Sequence, residues 1–309
     1  MRSILLLSLL LLLVPTSIHA QETAPPVSPD NAATLRLAAT LRGHDLPVND
    51  LDFADAAPQL ASGADDLTAL VWDLETGEIT ARFEGQLNQV RSVDFAPDGR
   101  SVLTTGFNGI AFLWDVRSQT RSLSVNEDAY PSMSDGAFAP DGETFAVALG
   151  TGDVQVYDVA TGDPVALYTT DELLVERVAY DPNGAYIAAG YGFPLDSTLV
   201  WDTETGDLTL SVGSDDGTMH GVAFSPDSTL LALGTGGGSL VVWDLSEASE
   251  DMPAALLHDT PDAHPGGVFD VAFNQAGTLI ASAGFDGQVR LWDVTSGEII
   301  ATLQPPGEV

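Results

Sequence analysis

The feature that most constrains this chain is a tryptophan–aspartate pair that recurs along most of its length. All five tryptophans are followed by Asp, and a tyrosine–aspartate pair stands where a further copy is due. Successive aromatic residues of these pairs are 42, 43, 44, 42 and 49 residues apart, and they are Trp72, Trp114, Tyr157, Trp201, Trp243 and Trp292. Self-similarity at a period of this size predicts a stack of small repeated units.

A second aromatic landmark keeps the same period. It precedes its Trp or Tyr by 19 residues in five units and by 21 in the fourth, and its members are Phe53, Phe95, Phe138, Tyr180, Phe224 and Phe273. From about Thr34 to Leu303 the chain therefore resembles the WD40 family, whose repeat length and Trp-Asp signature it shares. The resemblance implies a β-propeller and says little about function.

Within each unit the apolar residues alternate with polar ones, which is typical of β-strands. The clearest copy, residues 281–298, contains a strand, a tight turn, a second strand that ends in Trp292, and another turn at Gly297. Pro-Asp-Gly turns such as residues 97–99 put Pro where φ is already about −65° and Gly where φ is positive, which suits a hairpin. We therefore predict an all-β fold of four-stranded antiparallel blades, with strands a, b, c and d in each unit.

The number of blades follows from the repeat count. Six a-b-c units are present, but seven segments resemble strand d, because residues 39–41 (A-T-L) near the start match residues 301–303 (A-T-L) near the end. In the WD40 family the ring closes when a strand from one terminus completes the blade built by the other. We favour six blades closed by the N-terminal strand. A seventh blade supplied or completed by a partner chain is the alternative, since a spare strand has an unpaired edge.

The first 20 residues differ from the rest of the chain. Arg2 is followed by an apolar run at residues 4–14, interrupted only by Ser8, and small Ala20 precedes a suitable cleavage point. This run is shorter than the about 20 residues that cross a bilayer as a helix. We therefore interpret residues 1–20 as the cleaved signal peptide of a secreted or periplasmic, bacterial-type protein. An uncleaved N-terminal anchor is the alternative.

The remaining residues divide the chain into three parts. Residues 21–32 contain three prolines and few large apolar side chains, so they cannot bury enough surface to offset the entropy of ordering, and we predict a disordered linker. Residues 33–304 form a single propeller domain, and residues 305–309 are a tail. The 49-residue step places its extra residues at 246–262, which we interpret as a long acidic loop.

Charge restricts the partners that this chain can bind. Asp and Glu number 45 against ten basic residues, all of them Arg, so the net charge is −35. Such a protein repels phosphate backbones, and we expect neither nucleic-acid binding nor membrane insertion after signal cleavage. A cationic protein or peptide would be attracted, although simple solubility also explains the charge. The chain has no Cys, which excludes disulfides, thiol catalysis and thiolate metal sites.

Two units contain the three side-chain types of a Ser-His-Asp hydrolase. The set occurs in the first unit and again in the last, and its members are His44, Ser62, Asp66, Trp72, His264, Ser282, Asp286 and Trp292. Recurrence at the repeat period favours a structural role over a catalytic one. The resemblance to the WD40 family implies that these residues form buried hydrogen-bond chains running from Trp to Ser to His to Asp.

The middle units depart from this set, and we expect them to rely on apolar packing. Their residues at the same places are Gln86, Thr104 and Asn108 in the second unit, Val147 and Tyr157 in the third, and Leu233 and Gly237 in the fifth. A weak metal candidate consists of His258, Asp259, Asp262 and His264, but the last of these already belongs to the hydrogen-bond chain. We predict no catalytic residue, no metal and no cofactor.

The surface remains as the functional region. The resemblance implies that partners dock on the face formed by the loops that enter strand a and the turns between strands b and c. The matching residues are Asp65, Arg91, Phe107, Tyr191, Phe193, His220, Phe269 and Phe285. Phe107 and Phe285 stand in b-to-c turns, where no core demands an aromatic residue, and exposed aromatics on a rigid rim are typical binding anchors. Packing between adjacent blades is the alternative.

We therefore expect a non-catalytic WD40 scaffold that binds a protein or peptide, cationic in character, outside the cytoplasm. The alternative is a propeller enzyme, a hydrolase or lyase with an acidic or metal-assisted site on one face. Only scattered acidic residues and His220 offer themselves for that role. The sequence contains no pattern that predicts the oligomeric state.

Overall fold

A computed structural model describes residues 27–126, 132–170, 174–192, 196–214, 216–248 and 253–304. These residues form six four-stranded antiparallel sheets and one short turn of 3-10 helix, Ala32–Thr34. In every sheet the strand order follows the chain, so each blade is a simple meander. The prediction of an all-β propeller with six four-stranded blades is confirmed.

The strands lie within the predicted units. Blade 1 consists of β1 (Val48–Phe53), β2 (Gln59–Ala64), β3 (Thr68–Asp73) and β4 (Ile79–Glu84). Blade 2 consists of β5 (Val90–Phe95), β6 (Ser101–Gly106), β7 (Ile110–Asp115) and β8 (Thr120–Asn126). Blade 3 consists of β9 (Met133–Phe138), β10 (Thr144–Leu149), β11 (Val154–Asp158) and β12 (Pro164–Tyr168).

The second half of the chain repeats this arrangement. Blade 4 consists of β13 (Val175–Tyr180), β14 (Tyr186–Tyr191), β15 (Ser197–Asp202) and β16 (Leu208–Gly213). Blade 5 consists of β17 (Met219–Phe224), β18 (Leu230–Thr235), β19 (Leu240–Asp244) and β20 (Ala255–Thr260). Blade 6 consists of β21 (Val268–Phe273), β22 (Leu279–Gly284), β23 (Val289–Asp293) and β24 (Ile299–Leu303).

The aspartate of each Trp-Asp pair has a local task at the turn between strands c and d. In blade 1, Oδ1 of Asp73 accepts hydrogen bonds from the N–H groups of Glu75 and Thr76, at 3.0 and 2.8 Å. Gly77 then adopts a φ of +74°, which a residue with a side chain rarely does. The hydrogen bonds, that from the Thr76 N–H first, hold the pKa of Asp73 below its usual value. The signature therefore specifies the turn as well as the strand.

Each blade buries one face against the next blade of the ring. The cluster between blades 1 and 2 includes Val71 and Phe83 from blade 1 and Val93 and Trp114 from blade 2. The rings of Phe83 and Trp114 stack with their centroids 5.2 Å apart. Strand d of one blade thus covers the aromatic residue of the next. Comparable clusters join blades 2 and 3, 3 and 4, 4 and 5, and 5 and 6.

The junction between blade 6 and blade 1, which we call the seam, is built differently. Among the described residues, no hydrophobic cluster contains side chains of both blades. Residues 27–43, the N-terminal segment, lie there instead. Ala32 and Leu35 pack on blade 6, and Leu41 packs on blade 1 around Trp72. The N-terminal segment, which from Leu35 onward has no regular secondary structure, therefore bridges the seam by packing on both blades.

The expectation that the N-terminal strand closes the ring is wrong. Residues 39–41 belong to no strand, and blade 6 is completed by β24 from its own repeat. The physical reason is loop length, because a short turn joins β24 to β23, whereas residues 39–41 lie at the far end of the chain. Bringing the short loop together costs less chain entropy.

Two further expectations need correction. The described part of the predicted linker, residues 27–32, packs on blade 6: Ala32 is fully buried, and the Val27 carbonyl accepts a hydrogen bond from Nδ2 of Asn274 at 3.0 Å. The predicted acidic loop at 246–262 contains β20, since blade 5 needs its own strand d.

The predicted signal peptide and tail lie outside the described residues. Within the described ranges, no helix has the length and apolar character needed to cross a membrane.

We expect Phe83→Ala to lower the free energy of unfolding by about 3–5 kcal/mol, because the change leaves a cavity against Trp114 between two blades. Leu208→Ala, which shortens a 54% exposed side chain on an outer strand, serves as the matched control and should have little effect. Urea unfolding followed by tryptophan fluorescence would measure both. Equal losses in the two variants would contradict the proposed role of the contact.

Candidate functional site

A β-bulge shapes the same end of every blade. The register between strands a and b shifts between the first and third residues of strand a, so the second residue is the bulged one. A bulge of this kind re-aims a side chain out of the regular alternation. The six bulged residues, which we call the entrance ring, lie at the end of the propeller where strand b turns into strand c, the loop end. They are Asn49, Arg91, Ser134, Glu176, His220 and Phe269.

Arg91 of the entrance ring holds Phe107 in place. Its guanidinium carbon lies 4.6 Å from the centroid of the Phe107 ring, within the range of a cation–π contact. Phe107 nevertheless stays 40% exposed, because it stands in the b-to-c turn of blade 2 beyond the last residue of β6. One face of the ring is fixed by arginine, and the side chain remains available to a ligand.

A second aromatic group lies at the loop end of blades 5 and 6. The rings of Phe269 and Phe285 are in contact, with centroids 3.5 Å apart, and His220 lies 6.4 Å from Phe269. Phe285 is 42% exposed. It rests on Gly267, where φ is +125° and where an added Cβ would lie 2.9 Å from the Phe285 ring. Residue 267 must therefore be glycine for the Phe285 ring to lie where it does.

The loop end also carries a histidine and carboxylate side chains. Burial lowers the pKa of His220, and the carboxylate of Glu176 opposes that effect only in part, so the imidazole is neutral at neutral pH. Asp65 stands in the b-to-c turn of blade 1 and accepts a hydrogen bond from Nδ2 of Asn49 at 2.8 Å. The loop end therefore combines exposed aromatic rings with carboxylates.

Two predicted members of the partner-binding face do not join this surface. Tyr191 is fully buried at the end of β14, and its hydroxyl donates a hydrogen bond to the Gly152 carbonyl of blade 3 at 2.9 Å. Its place on the face was therefore wrong, because the ring fills the space between blades 3 and 4. Phe193 lies outside the described residues. The other six, namely Asp65, Arg91, Phe107, His220, Phe269 and Phe285, stand at the loop end.

The Ser-His-Asp sets form two hydrogen-bond chains inside the first and last blades. In blade 6, Nε1 of Trp292 lies 2.8 Å from Oγ of Ser282, which lies 2.7 Å from Nε2 of His264. Nδ1 of His264 then lies 2.9 Å from Asp286. One set of directions satisfies every donor, since Trp donates to Ser, Ser to His, and His to Asp. Arg290 adds an ion pair to Asp286 at 2.7 Å.

Blade 1 repeats the chain with nearly the same distances. Nε1 of Trp72 lies 2.8 Å from Oγ of Ser62, and Nε2 of His44 lies 2.7 Å from the same oxygen. Nδ1 of His44 lies 3.0 Å from Asp66, whose pKa is lowered because hydrogen bonds from Thr68, Asp45 and His44 together outweigh the opposing effect of burial. The chain ties strands b and c to the loop that enters strand a.

Neither chain has the properties of a hydrolytic site. The serine hydroxyls already donate to histidine and accept from tryptophan, and Ser62 and Ser282 are only 2% and 1% exposed. A nucleophile must reach a substrate carbonyl, which these oxygens cannot do. Burial lowers the pKa of His264, the larger effect, and Asp286 raises it. Both chains therefore act as internal braces.

The other blades contain only part of such a hydrogen-bond chain or none of it. In blade 2, Oγ1 of Thr104 accepts hydrogen bonds from Trp114 and Gln86, both at 2.9 Å. The amide atoms of Asn108 have no partner among the described residues, so the chain stops one residue early. In blade 5 the buried indole N–H of Trp243 also has no partner within that part of the structure. Apolar packing holds these blades, as the substitutions in their sequences indicate.

Aspartates of the innermost strands, of which Asp135 is buried and the others are partly buried, tie the first four blades together around the central axis. Each carboxylate accepts a hydrogen bond from a backbone N–H of the next blade. The four pairs are Asp50 with Val93 (2.9 Å), Asp52 with Phe95 (2.7 Å), Asp94 with Phe138 (2.6 Å) and Asp135 with Val178 (2.9 Å). At the junction of blades 5 and 6 the two backbones approach directly at Gly221, where a Cβ would lie 2.9 Å from the Val271 nitrogen.

These carboxylates line a cavity of 530 Å³ around the axis. Asp270 of blade 6 lies in the same lining, and Arg177 is the only basic group among the described residues that form it. Burial raises the pKa of every one of these carboxyl groups, that of Asp52 to about 7. Arg177 only partly offsets this at Asp50, Asp135 and Asp270. Part of the cluster is therefore protonated near neutral pH.

The sequence reasoning missed the entrance ring as a whole and the axial carboxylates. Every entrance-ring residue stands four positions before the aromatic landmark, and Asp50, Asp135 and Asp270 stand three positions before it. That regular spacing was the available signal. The weak metal candidate is dispersed, since Nε2 of His258 is bonded to the Val294 carbonyl at 2.8 Å. Within the described residues, no group of three or more His, Asp or Glu side chains is placed to hold a metal ion.

Comparison with known proteins adds a family relationship. The family model of the WD domain, G-beta repeat matches residues 35–73, 77–115, 213–244 and 257–293. These ranges end at the Trp-Asp pairs of blades 1, 2, 5 and 6. The earlier resemblance is confirmed by this match and by the relatives.

Three relatives show how far the similarity extends. Transcription initiation factor TFIID subunit 5 of Caenorhabditis elegans is 27% identical over 52% of this chain and 25% of its own length. A guanine nucleotide-binding protein subunit beta of Zea mays is 25% identical over 52% of this chain and 46% of its own length. Periodic tryptophan protein 2 of Arabidopsis thaliana is 28% identical over 85% of this chain and 24% of its own length. The chain thus spans between a quarter and a half of these relatives.

We expect His264→Ala and His44→Ala each to lower the free energy of unfolding by about 1–3 kcal/mol, because each change leaves a buried serine hydroxyl without its acceptor and removes one hydrogen bond to an aspartate. Gln86→Ala should cost less, because the Gln86 carbonyl already lacks a partner among the described residues. Thermal unfolding of the three variants tests this. Equal, negligible shifts would show that the chains are not braces.

We expect stability to fall as pH rises from about 4 to about 7. The carboxyl group of Asp52 binds its proton more tightly in the folded protein than in the unfolded chain, so its contribution is fully present below pH about 4 and is lost as pH rises through its folded pKa of about 7. Asp52→Asn keeps the oxygen that accepts from Phe95 and removes this titration. The variant should therefore show a smaller decrease of the unfolding free energy over that range.

Asp207→Asn is the control for this pH experiment. It removes the same charge from an exposed side chain of blade 4, so it corrects for the overall repulsion of an acidic protein. Urea unfolding at a series of pH values gives the slope for each protein. If Asp52→Asn and Asp207→Asn change the slope equally, the axial carboxyl group is not responsible for it.

Proposed function

The chain belongs to the WD40 repeat family, and we propose that it is a non-catalytic scaffold that binds a protein or peptide partner at the loop end of its propeller. The observation that carries this proposal is the pair of exposed, immobilised phenylalanines. Phe107 is held by Arg91, and Phe285 is held by Phe269 and Gly267. Rigid aromatic side chains lose little conformational entropy when they bind, which makes them effective anchors.

The names of two relatives support a role in assembly. The Caenorhabditis elegans and Zea mays proteins are both described as subunits, so each works as part of a larger complex. The two Ser-His-Asp sets, which would be the natural basis of an enzyme, are occupied as buried braces. These points favour recognition over catalysis for the present chain.

Charge supports a cationic partner. The protein carries a net charge of −35, and Asp65 and Glu176 stand at the same loop end as the aromatic rings. A peptide with apolar or aromatic residues between Lys or Arg side chains matches this combination. Electrostatic attraction of this kind raises the association rate and weakens as salt is added.

We propose further that the scaffold works outside the cytoplasm. The support is the sequence of residues 1–20, in which a basic residue precedes an apolar run and a small residue at position 20. N-terminal sequencing of the protein exported by a bacterial host should find Gln21 as the first residue. Recovery of the full-length chain from the cytoplasmic fraction would contradict the proposal.

We expect the double variant Phe107→Ala/Phe285→Ala to bind a cationic peptide at least about tenfold more weakly than the wild type. The probe is a Lys- and Arg-containing peptide selected on the wild-type protein from a random library, and calorimetry measures its dissociation constant. Both side chains are exposed, so the melting temperature should change little. Affinity for the wild type should also fall as the salt concentration rises.

Val165→Ala/Leu208→Ala is the matched control, because it removes two apolar side chains, which are at least as exposed as the phenylalanines, from outer strands far from the loop end. It should bind the peptide as the wild type does. If the phenylalanine variant keeps full affinity, or if both double variants lose it equally, the loop end is not the binding face.

A further inference from the structure

The N-terminal segment has the sequence of a strand d that lacks a blade. Residues 36–43 read R-L-A-A-T-L-R-G, and residues 78–85, which contain β4, read E-I-T-A-R-F-E-G. Leu37, Ala39, Leu41 and Gly43 take the places of Ile79, Ala81, Phe83 and Gly85. The family model agrees with this alignment, since its first two matches begin at residues 35 and 77. The segment therefore begins a repeat just as β4 does.

The side chains of the segment also take the position of strand d. Leu41 packs in the cluster around Trp72, just as Phe83 packs on Trp114 one blade later. Gly43 lies so close to blade 1 that a Cβ there would stand 2.7 Å from atoms of both Trp72 and Ile79. The segment is thus held against blade 1 by the contacts that a preceding blade would make.

The backbone of the segment is unpaired. Within the described part of the chain, no backbone N–H or C=O group of residues 36–42 has a hydrogen-bond partner. Residues 36–40 are all exposed, including Leu37 at 48%. Blade 6 offers no place for them, because β24 already completes it. A segment that is held in place while its backbone groups are unpaired is a template for another strand.

Charge identifies the kind of strand that fits. Arg36 and Arg42 stand at the two ends of the segment, where β4 has Glu78 and Glu84. Two of the ten arginines of an otherwise acidic chain therefore bracket this edge. A strand with acidic residues near both ends and alternating apolar residues between them would meet one arginine at each end.

A second copy of this chain does not fit. Antiparallel pairing of two segments about Ala39 would place Arg36 of one copy opposite Arg42 of the other, and like charges directly opposite each other destabilise a pair of strands. Each copy also carries a net charge of −35, which opposes their approach. The observations favour a different protein as the source of the strand.

We propose that residues 36–42 are a second interaction site, at which a partner protein adds an extended strand with acidic ends to the unpaired edge at the seam. The site is separate from the loop end, and its existence does not depend on the function proposed for that face. It supplies backbone hydrogen bonds for affinity, and Arg36 and Arg42 for selection.

The experiment uses a labelled synthetic peptide of residues 66–75, D-L-T-A-L-V-W-D-L-E, added to the full-length protein. This peptide contains β3, the strand that pairs with β4 inside blade 1, and it has acidic residues near both ends. Fluorescence anisotropy should show saturable binding, and a peptide of the same composition in scrambled order should not bind. Ala39→Pro, which removes one N–H from the edge, should weaken binding at least about tenfold with little change in melting temperature.

A charge exchange gives the decisive control. Arg36→Glu/Arg42→Glu should lose the acidic peptide and should bind a version in which its acidic residues are replaced by Lys. Arg100→Glu/Arg117→Glu changes the net charge equally at exposed places in blade 2 and should bind the acidic peptide as the wild type does. No saturable binding by the wild type, or unchanged binding by the proline and charge-exchange variants, would overturn the proposal.

The two proposed sites are distinguished by the same set of proteins. Phe107→Ala/Phe285→Ala should bind the acidic peptide as the wild type does, and Ala39→Pro should keep its affinity for the cationic peptide of the loop end. Loss of the acidic peptide in the phenylalanine variant would place its binding at the loop end and would overturn the seam site.

Discussion

A four-stranded blade cannot bury both of its faces by itself, and the rest of this structure follows from that constraint. At four junctions strand d of one blade covers the aromatic residue of the next, as Phe83 does for Trp114. Between blades 5 and 6 the cluster around Trp292 contains Ala263, which follows β20, instead of a residue of β20 itself. At the sixth, residues 27–43 supply the cover that a blade would otherwise provide. The shape of the N-terminal segment is therefore a consequence of the same need for burial.

Polar groups in this propeller add hydrogen bonds at places that the apolar packing between blades does not fix. The chains that end at Asp66 and Asp286 fix the loops of the first and last blades, which flank the seam. Around the axis, Asp94 and the other axial aspartates bind backbone N–H groups of the next blade and so hold neighbouring innermost strands together. Burial and the repulsion between these carboxyl groups raise their pKa values, so they stabilise the folded state most at mildly acidic pH. A protein with so many surface carboxylates would also repel itself least there.

Much of the fold could be predicted from local chemistry. The Trp-Asp period, the Pro-Asp-Gly turns and the recurrence of the His264 set in the first unit are contained in short stretches of sequence. The failures involve comparisons between distant parts of the chain. Residues 39–41 and 301–303 have the same three letters, and the letters alone do not tell which of them pairs with β23. Tyr191 looked like a turn residue because its unit has a two-residue insertion, yet its ring fills a gap that a neighbouring blade creates. The axial aspartates become a cluster only when six innermost strands meet.

The bulge in each innermost strand places one residue at the loop end without interrupting the pairing of the rest of the blade. It sets one residue per blade out of the regular alternation, and four of the six, namely Arg91, Glu176, His220 and Phe269, are only partly buried. A substitution at one of these four positions would alter what the loop end of the propeller recognises while the hydrophobic interfaces between blades stay intact. The repeat thus leaves room for new specificities to evolve, one blade at a time, on a frame that does not have to be rebuilt.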